Sequence, residues 1–192
     1  MPTKKDRTPI LPGKVYHIFN RGHNYNQVFL CQDDYLFFID KLKEYMLATT
    51  LVYAYTLLPN HYHFLLRIHE SSKLGEFSNQ FRKFILSYTN MINFRENRSG
   101  SLFLHPFKRI EITSRDYFKR LIFYIHYNTE KHKISKNFHL YPYSSYKDYT
   151  SKEASFLEKH ETYKIFGSKE DFFHYHKYVS DEKKIRNLIL ED

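Results

Sequence analysis

One hairpin constrains the fold of this chain more than any other stretch. Residues 51–58 are rich in β-formers, and a Pro-Asn turn leads from them into a second strand, residues 61–68. Side chains along a strand alternate between its two faces, so His61 and His63 share one face while apolar residues occupy the other. The hairpin therefore predicts a half-buried sheet with two neighbouring imidazoles on its polar face.

The order of the predicted elements indicates the fold class. Strand, helix, strand, strand, helix and strand follow each other at residues 15–21, 35–46, 51–58, 61–68, 73–97 and 108–113. This βαββαβ order is that of an α+β, ferredoxin-like domain with a four-stranded antiparallel sheet. We expect Asp33 or Asp34 to cap the first helix, and both helices to cover one sheet face and leave the histidine face open.

The chain is expected to form one domain with two appendages. Residues 1–13 are polar and proline-containing and predict an N-terminal arm, and residues 14–132 form the ferredoxin-like domain. A third helix follows the sheet, with a capping box of Thr113 and Asp116. Residues 133–192 predict a helical C-terminal extension that packs on the domain.

The charge balance favours a nucleic-acid partner. Lysine and arginine outnumber acids 30 to 21, giving a net charge of +9, and most of the excess lies in residues 1–130. The chain also has 18 tyrosines and 18 phenylalanines. Cations attract phosphates and flat rings stack on unpaired bases, although a basic protein with an aromatic core would have the same composition.

The location is expected to be cytoplasmic. No apolar run approaches the ~18 residues of a membrane span, and residues 1–8 lack the core of a signal peptide. The single Cys31 excludes an internal disulfide and a multi-cysteine zinc site.

The third helix offers a nucleophile next to an amide. Tyr124 and Asn128 lie one helical turn apart on the same face. A tyrosine can attack a phosphodiester if a neighbouring cation or base favours its phenolate, but Tyr117 and Tyr127 on the same helix compete for this role. Asn128 is a mediocre helix former, so its amide either has a function or caps the end of the helix.

Two imidazoles and an amide oxygen form a candidate metal site. The set of His61, His63 and Asn128 would suit Mg²⁺ or Mn²⁺, with positions left for phosphate oxygens and water. A structural zinc site would need four closing ligands, which are absent here. Judged without other information, such histidines are more often exposed or hydrogen-bonded than bound to a metal.

Four segments carry a resemblance to a known family. The sequence resembles the single-tyrosine transposases of the HUH endonucleases, and most closely the REP-associated tyrosine transposases (RAYT). Thr129 stands where these relatives usually have Pro, and Tyr143 where they usually have Trp. The matching segments are residues 16–22, 55–66, 124–128 and 141–146.

The resemblance implies a function and a role for each site residue. It implies a transposase that cleaves single-stranded, hairpin-forming DNA through a covalent 5′-phosphotyrosine intermediate. Tyr124 would be the nucleophile, and His61, His63 and Asn128 would bind the divalent metal. Some relatives build each active site from two subunits and others from one, so a homodimer is an open expectation.

Several residues have two interpretations. Arg21, Lys108 and Arg109 are candidate DNA-binding residues, although scattered cations are usually only a solvated surface. His17 is a candidate partner of the histidine pair, but exposure is the favoured expectation. His126 and His132 are expected to be solvated.

Two other functions remain open at this point. A non-catalytic, ferredoxin-like module that binds single-stranded nucleic acid would have the same charge and aromatic content. A metallophosphoesterase that activates water would release its product without a protein–DNA bond, but its usual carboxylate ligands are not evident near His61.

Overall fold

A four-stranded antiparallel sheet lies at the centre of the described part of the protein. The computed structural model describes residues 9–178. The strands are β1 (Val15–Arg21), β2 (Thr50–Leu58), β3 (His61–Ile68) and β4 (Lys108–Glu111). The helices are α1 (Gln32–Met46), α2 (Glu76–Arg95), α3 (Arg115–Lys131), α4 (Tyr146–Thr150), α5 (Lys159–Phe166) and α6 (Lys169–Tyr178).

The sheet has the predicted ferredoxin-like topology. Its strand order is β2-β3-β1-β4, and each neighbouring pair is antiparallel. The register places Phe19 opposite His63 and Arg21 opposite His61. The predicted hairpin and first strand are confirmed, and the pairing with β1 brings cationic and aromatic side chains next to the two histidines.

The first face of the sheet packs on α1 and α2. Phe38 of α1 lies 4.6 Å from Phe84 of α2 and 6.2 Å from Phe64 of β3, measured between ring centroids. All three rings are fully buried. Burying an aromatic side chain contributes about 1.5–3 kcal/mol, so this cluster is a major source of stability.

The second face is not open, contrary to expectation. Helix α3 crosses β2 and β3 on this side, and the rings of Tyr53 and Phe118 meet there at 5.0 Å. The C-terminal extension adds further cover, because Arg67 of β3 forms a two-pronged ion pair with Glu161 of α5. Apolar residues on both faces of β2 need this cover. A cavity lies on this face near β1 and β4.

Several boundaries differ from the predicted ones, and local hydrogen bonds account for the starts of two helices. Helix α3 is capped by Ser114, whose hydroxyl accepts from the Tyr117 N–H at 3.1 Å, and not by Thr113. Helix α1 begins after Cys31, and Asp34 accepts from the Leu30 and Cys31 N–H groups. Strand β4 ends at Glu111, two residues earlier than predicted.

The described part of the extension is helical. Ser168 accepts from the Asp171 N–H at 2.9 Å and so starts α6. Residues 1–8 of the predicted arm and residues 179–192 lie outside the described residues. None of the helices within residues 9–178 is long and apolar enough to cross a membrane.

Candidate active site

The two histidines of β3 stand side by side at a cavity. The rings of His61 and His63 are perpendicular, with centroids 5.2 Å apart. His63 is buried and His61 is half-buried. Their spacing of two residues puts both rings on one face of the strand, as predicted.

A hydrogen bond from the protein orients each histidine. Nδ1 of His63 lies 3.1 Å from Nε2 of His17, and Nδ1 of His61 lies 2.6 Å from Oδ1 of Asn60. Because the Asn60 oxygen can only accept, His61 Nδ1 donates that proton. His61 therefore has its lone pair on Nε2, the nitrogen through which it could bind an ion, and the contact with His17 orients the His63 ring, as outer contacts do for metal-binding histidines.

His17 is buried, so the expectation that it is exposed was wrong. Its strand lies in the interior of the sheet, and its ring stacks on Phe19 with centroids 4.6 Å apart. Burial lowers the pKa of His17 to about 3. The imidazole is consequently neutral at physiological pH, and it orients His63 without adding charge.

Helix α3 places Tyr124 against the histidine strand. The rings of Tyr124 and His63 have centroids 5.9 Å apart, and both belong to one chain. The Lys131 ammonium donates to the Tyr124 hydroxyl at 3.3 Å and lies 5.2 Å from the ring centroid. Only 1% of Tyr124 is exposed. A cation at this position favours the phenolate form of the tyrosine.

Asn128 is buried one turn beyond Tyr124. Neither its amide nitrogen nor its amide oxygen has a hydrogen-bond partner among the described residues. Leaving such a group unpaired costs about 1–3 kcal/mol, so it calls for an explanation. Helix α3 continues to Lys131, which a proline in place of Thr129 would oppose.

A cavity of about 200 Å³ lies beside Tyr124 and the two histidines of β3. Tyr124, His61, His63 and His132 form one part of its wall. Cationic, aromatic and apolar side chains complete the wall: Phe19, Asn20, Arg21, Tyr25, Asn60, Leu104, Pro106 and Lys108.

We compared the sequence and the structure with known proteins. No family model and no curated protein matches the sequence. A solved structure of a REP-associated tyrosine transposase bound to a REP hairpin matches with a TM-score of 0.67 and 16% identity. The match covers 79% of this chain and 87% of that chain. The two proteins share a fold.

The shared fold brings together most of the predicted site residues. His61, His63 and Tyr124 line one cavity, whereas Asn128 does not line it. Of the three candidate DNA-binding residues, Arg21 and Lys108 line the cavity. Arg109 lies outside it, with its guanidinium 5.3 Å from the Phe107 ring centroid.

Sequence reasoning missed two neighbours of the site. Lys131 lies two helical turns beyond Tyr124, a spacing that would have placed both on one face. His132 is exposed, as expected, but its ring lies 4.7 Å from that of His61. His126 was expected to be solvated and is fully buried, because the extension covers that side of α3.

The histidines do not form a complete metal site by themselves. Within residues 9–178, no group of three or more His, Cys, Asp or Glu side chains is placed to hold a metal ion. A metal at the cavity would therefore need an amide, water or a substrate oxygen in addition to His61 and His63.

Proposed function

We propose that the protein is a transposase that cleaves and rejoins single-stranded DNA through a covalent bond to Tyr124. The observation that carries the proposal is the contact between the Tyr124 ring and His63 in a cavity lined by cations. A tyrosine can act as the nucleophile on a phosphodiester, and oriented imidazoles with basic side chains can help to stabilise the charge that develops. The structural neighbour carries a bound hairpin, which supports hairpin-forming DNA as the substrate.

The donor set fits a divalent metal, Mg²⁺ or Mn²⁺. His61 and His63 would bind the ion at the cavity, and Asn128, which does not line the cavity but has a buried amide without a partner among the described residues, would be the third ligand. This mixture of two nitrogens and an oxygen suits these ions better than a closed zinc site. When bound, the ion would act as a Lewis acid that polarises the scissile phosphate.

The residues of the chain supply the nucleophile and its activation. Lys131 stabilises negative charge on the Tyr124 oxygen, and the phenol proton passes to solvent. The oxygen then attacks the phosphorus, so that a P–Oη bond forms and the P–O3′ bond breaks. The leaving 3′ oxygen takes up a proton, and the 5′ phosphate stays on Tyr124. Reversal of these steps with another 3′-hydroxyl rejoins DNA.

Basic residues at the cavity would hold the DNA backbone. Arg21 and Lys108 lie on β1 and β4, on the same sheet face as the histidines. Phosphate contacts of this kind are salt-dependent, because each neutralised phosphate releases counterions. Arg109 lies outside the cavity and would contribute only to the surrounding positive surface.

A covalent adduct tests this function directly. Radiolabelled hairpin oligonucleotides with randomised single-stranded extensions would be incubated with protein and Mn²⁺ and then denatured in detergent. We expect an adduct with the wild-type protein and none with Tyr124→Phe, which should still bind DNA. Tyr127→Phe is the matched control, since it removes a hydroxyl from the same helix. An adduct of normal yield with Tyr124→Phe would rule out this nucleophile.

One observation favours the alternative function. Only 1% of Tyr124 is exposed, which suits a domain that binds single-stranded nucleic acid without cleaving it. Such a module would bind the same oligonucleotides with and without metal and would form no adduct. The adduct experiment therefore separates the two functions.

A further inference from the structure

Arg21 and Tyr25 form a stacked pair at the edge of the cavity. The guanidinium carbon of Arg21 lies 3.9 Å from the centroid of the Tyr25 ring, and both residues line the cavity. The Tyr25 side chain is 65% exposed. Large exposed aromatic rings contribute little to the core, so this ring is available to a ligand.

The backbone holds Tyr25 in this position at a steric disadvantage. Asn24 and Tyr25 have φ values of 53° and 59°, in the left-handed region that disfavours most side chains. A Cβ atom on Gly22 would lie 2.1 Å from the Asn26 carbonyl oxygen, so only glycine fits there. The His23 N–H donates to the Leu102 carbonyl at 3.1 Å, and this hydrogen bond attaches the turn to the segment that precedes β4.

The position of the pair relates it to the proposed chemistry. Arg21 lies directly opposite His61 in the sheet, so the pair is adjacent to the candidate metal ligands. Among the described residues, no carboxylate forms an ion pair with Arg21. Its charge is thus not neutralised by the described part of the protein.

The size of the cavity restricts what can occupy it. Its volume of about 200 Å³ is smaller than the roughly 300–1,000 Å³ typical of drug-sized ligands. Phe19, Leu104 and Pro106 provide apolar walls, and Arg21 and Lys108 provide positive charge. A small flat group joined to a phosphate matches this combination.

We propose that Tyr25 is a stacking platform for one unpaired base next to the scissile phosphate, and that Arg21 contacts the adjoining phosphate. The inference rests on the proposed function, because it takes single-stranded DNA as the ligand. The strained turn holds the ring in place before DNA binds, so little conformational entropy is lost on stacking. Every base has a flat face, so the platform selects an unpaired base rather than a particular sequence.

The test measures coupling between Tyr25 and a single base. A hairpin oligonucleotide is first selected from the randomised pool by binding to Tyr124→Phe, which needs no cleavage. An abasic site is then moved along its single-stranded extensions, and affinities are measured by fluorescence anisotropy for wild-type protein, Tyr25→Ala and Tyr25→Phe. Phe94→Ala is the matched control, because that ring is 92% exposed on α2, which packs on the other sheet face.

Base stacking on an aromatic ring predicts the size of the effect. We expect Tyr25→Ala to weaken binding about 5- to 150-fold, and Tyr25→Phe and Phe94→Ala to leave it unchanged. At one position, the abasic site should weaken binding by wild-type protein as much as Tyr25→Ala weakens binding of the intact oligonucleotide. The same abasic site should not weaken binding by Tyr25→Ala any further. Arg21→Gln should lower the salt dependence of binding by about one counterion.

The proposal that Tyr25 is a stacking platform would be overturned if each abasic site lowered the DNA affinity of wild-type protein and of Tyr25→Ala by the same factor. This failure is distinguishable from failure of the proposed function. An adduct on Tyr124 without coupling at Tyr25 would refute the platform alone. Coupling without any adduct would support the platform and refute only the cleavage chemistry.

Discussion

Two hydrogen-bonded pairs of buried histidines occupy different parts of the molecule. His17 and His63 meet at 3.1 Å beside the cavity, and His126 and His176 meet at 2.8 Å between α3 and α6. Burial lowers the pKa of all four imidazoles, to about 3 for His17 and His176. By burial and pKa alone, the two pairs look alike.

The two histidine pairs differ in the groups that surround them. Nε2 of His126 lies 2.8 Å from the Ser145 hydroxyl, and Nδ1 of His176 donates to the Phe172 carbonyl at 2.8 Å. That row of hydrogen bonds begins and ends in protein, so it ties α3 to the extension. The row at His63 ends at a cavity next to His61 and Tyr124. A lowered histidine pKa therefore does not by itself distinguish a structural pair from a pair beside a candidate ligand site, whereas the presence of open space next to the hydrogen-bonded histidines does.

The largest expected effect is on metal binding at the first pair. His61→Ala should weaken Mn²⁺ binding and slow adduct formation by at least about 100-fold, since it removes a ligand. Its stability should change little, because the ring is half-buried. Calorimetric titration with Mn²⁺ measures the affinity, with exposed His23→Ala as control. An unchanged titration would exclude His61 as a ligand.

The second pair should respond in the opposite way. His176→Leu leaves His126 Nδ1 buried without its partner and should lower the free energy of unfolding by about 2 kcal/mol. Binding of Mn²⁺ should not change. Urea unfolding and the same metal titration give both values. A loss of metal binding in a folded His176→Leu protein would contradict the separation of the two pairs.

The pH dependence of stability should reveal the neutral state of His176. Its folded pKa of about 3 lies below the value of about 6.5 expected when unfolded. Below pH 6.5 this histidine takes up a proton in the unfolded chain but not in the folded protein. The free energy of unfolding therefore decreases by about 1.4 kcal/mol for each unit by which the pH is lowered, down to about pH 3. Above pH 6.5 His176 is neutral in both states, so it causes no such loss of stability.

Comparison with the variant isolates that slope. The advantage of wild-type protein over His176→Leu should shrink from about 2 kcal/mol at pH 7.5 to about zero near pH 5. Urea unfolding at a series of pH values measures the difference. A constant difference across this range would mean that His176 does not resist protonation.

The smallest effect should come from Asn128. Asn128→Leu removes a buried amide without a partner, so the metal-free protein should be equally stable or about 1 kcal/mol more stable. Its affinity for Mn²⁺ should fall about 10-fold. Exposed Asn90→Leu on α2 controls for the change in helix propensity. Strong destabilisation of metal-free Asn128→Leu would instead give Asn128 a structural role.

The sequence allowed prediction of features that depend on local periodicity. The alternation in β3 put His61 and His63 on one face, and the helical spacing in α3 predicted Tyr124 and Asn128 one turn apart. The order of strands and helices predicted the ferredoxin-like topology. Each of these follows from the repeat of a strand or a helix along one short segment.

Features that depend on distant segments were missed or wrong. His17 was expected to be exposed because nothing in its own strand shows that it meets His63, 46 residues later. His126 was expected to be solvated because its partner, His176, lies 50 residues further on. The open sheet face was wrong for the same reason: α3 and the extension return to cover it. The cap at Ser114 shows that even a local feature, the capping residue of a helix, can be predicted one residue away from its true position.

The small volume of the cavity has a consequence for the state of its proposed DNA substrate. If the cavity takes a base as proposed, its volume of about 200 Å³ leaves room for one base and not for a base pair, so size would select an unpaired strand before any sequence is read. Under the proposed function, the protein would then need DNA whose strand is unpaired at the cavity and can be paired elsewhere, as in a hairpin with single-stranded extensions.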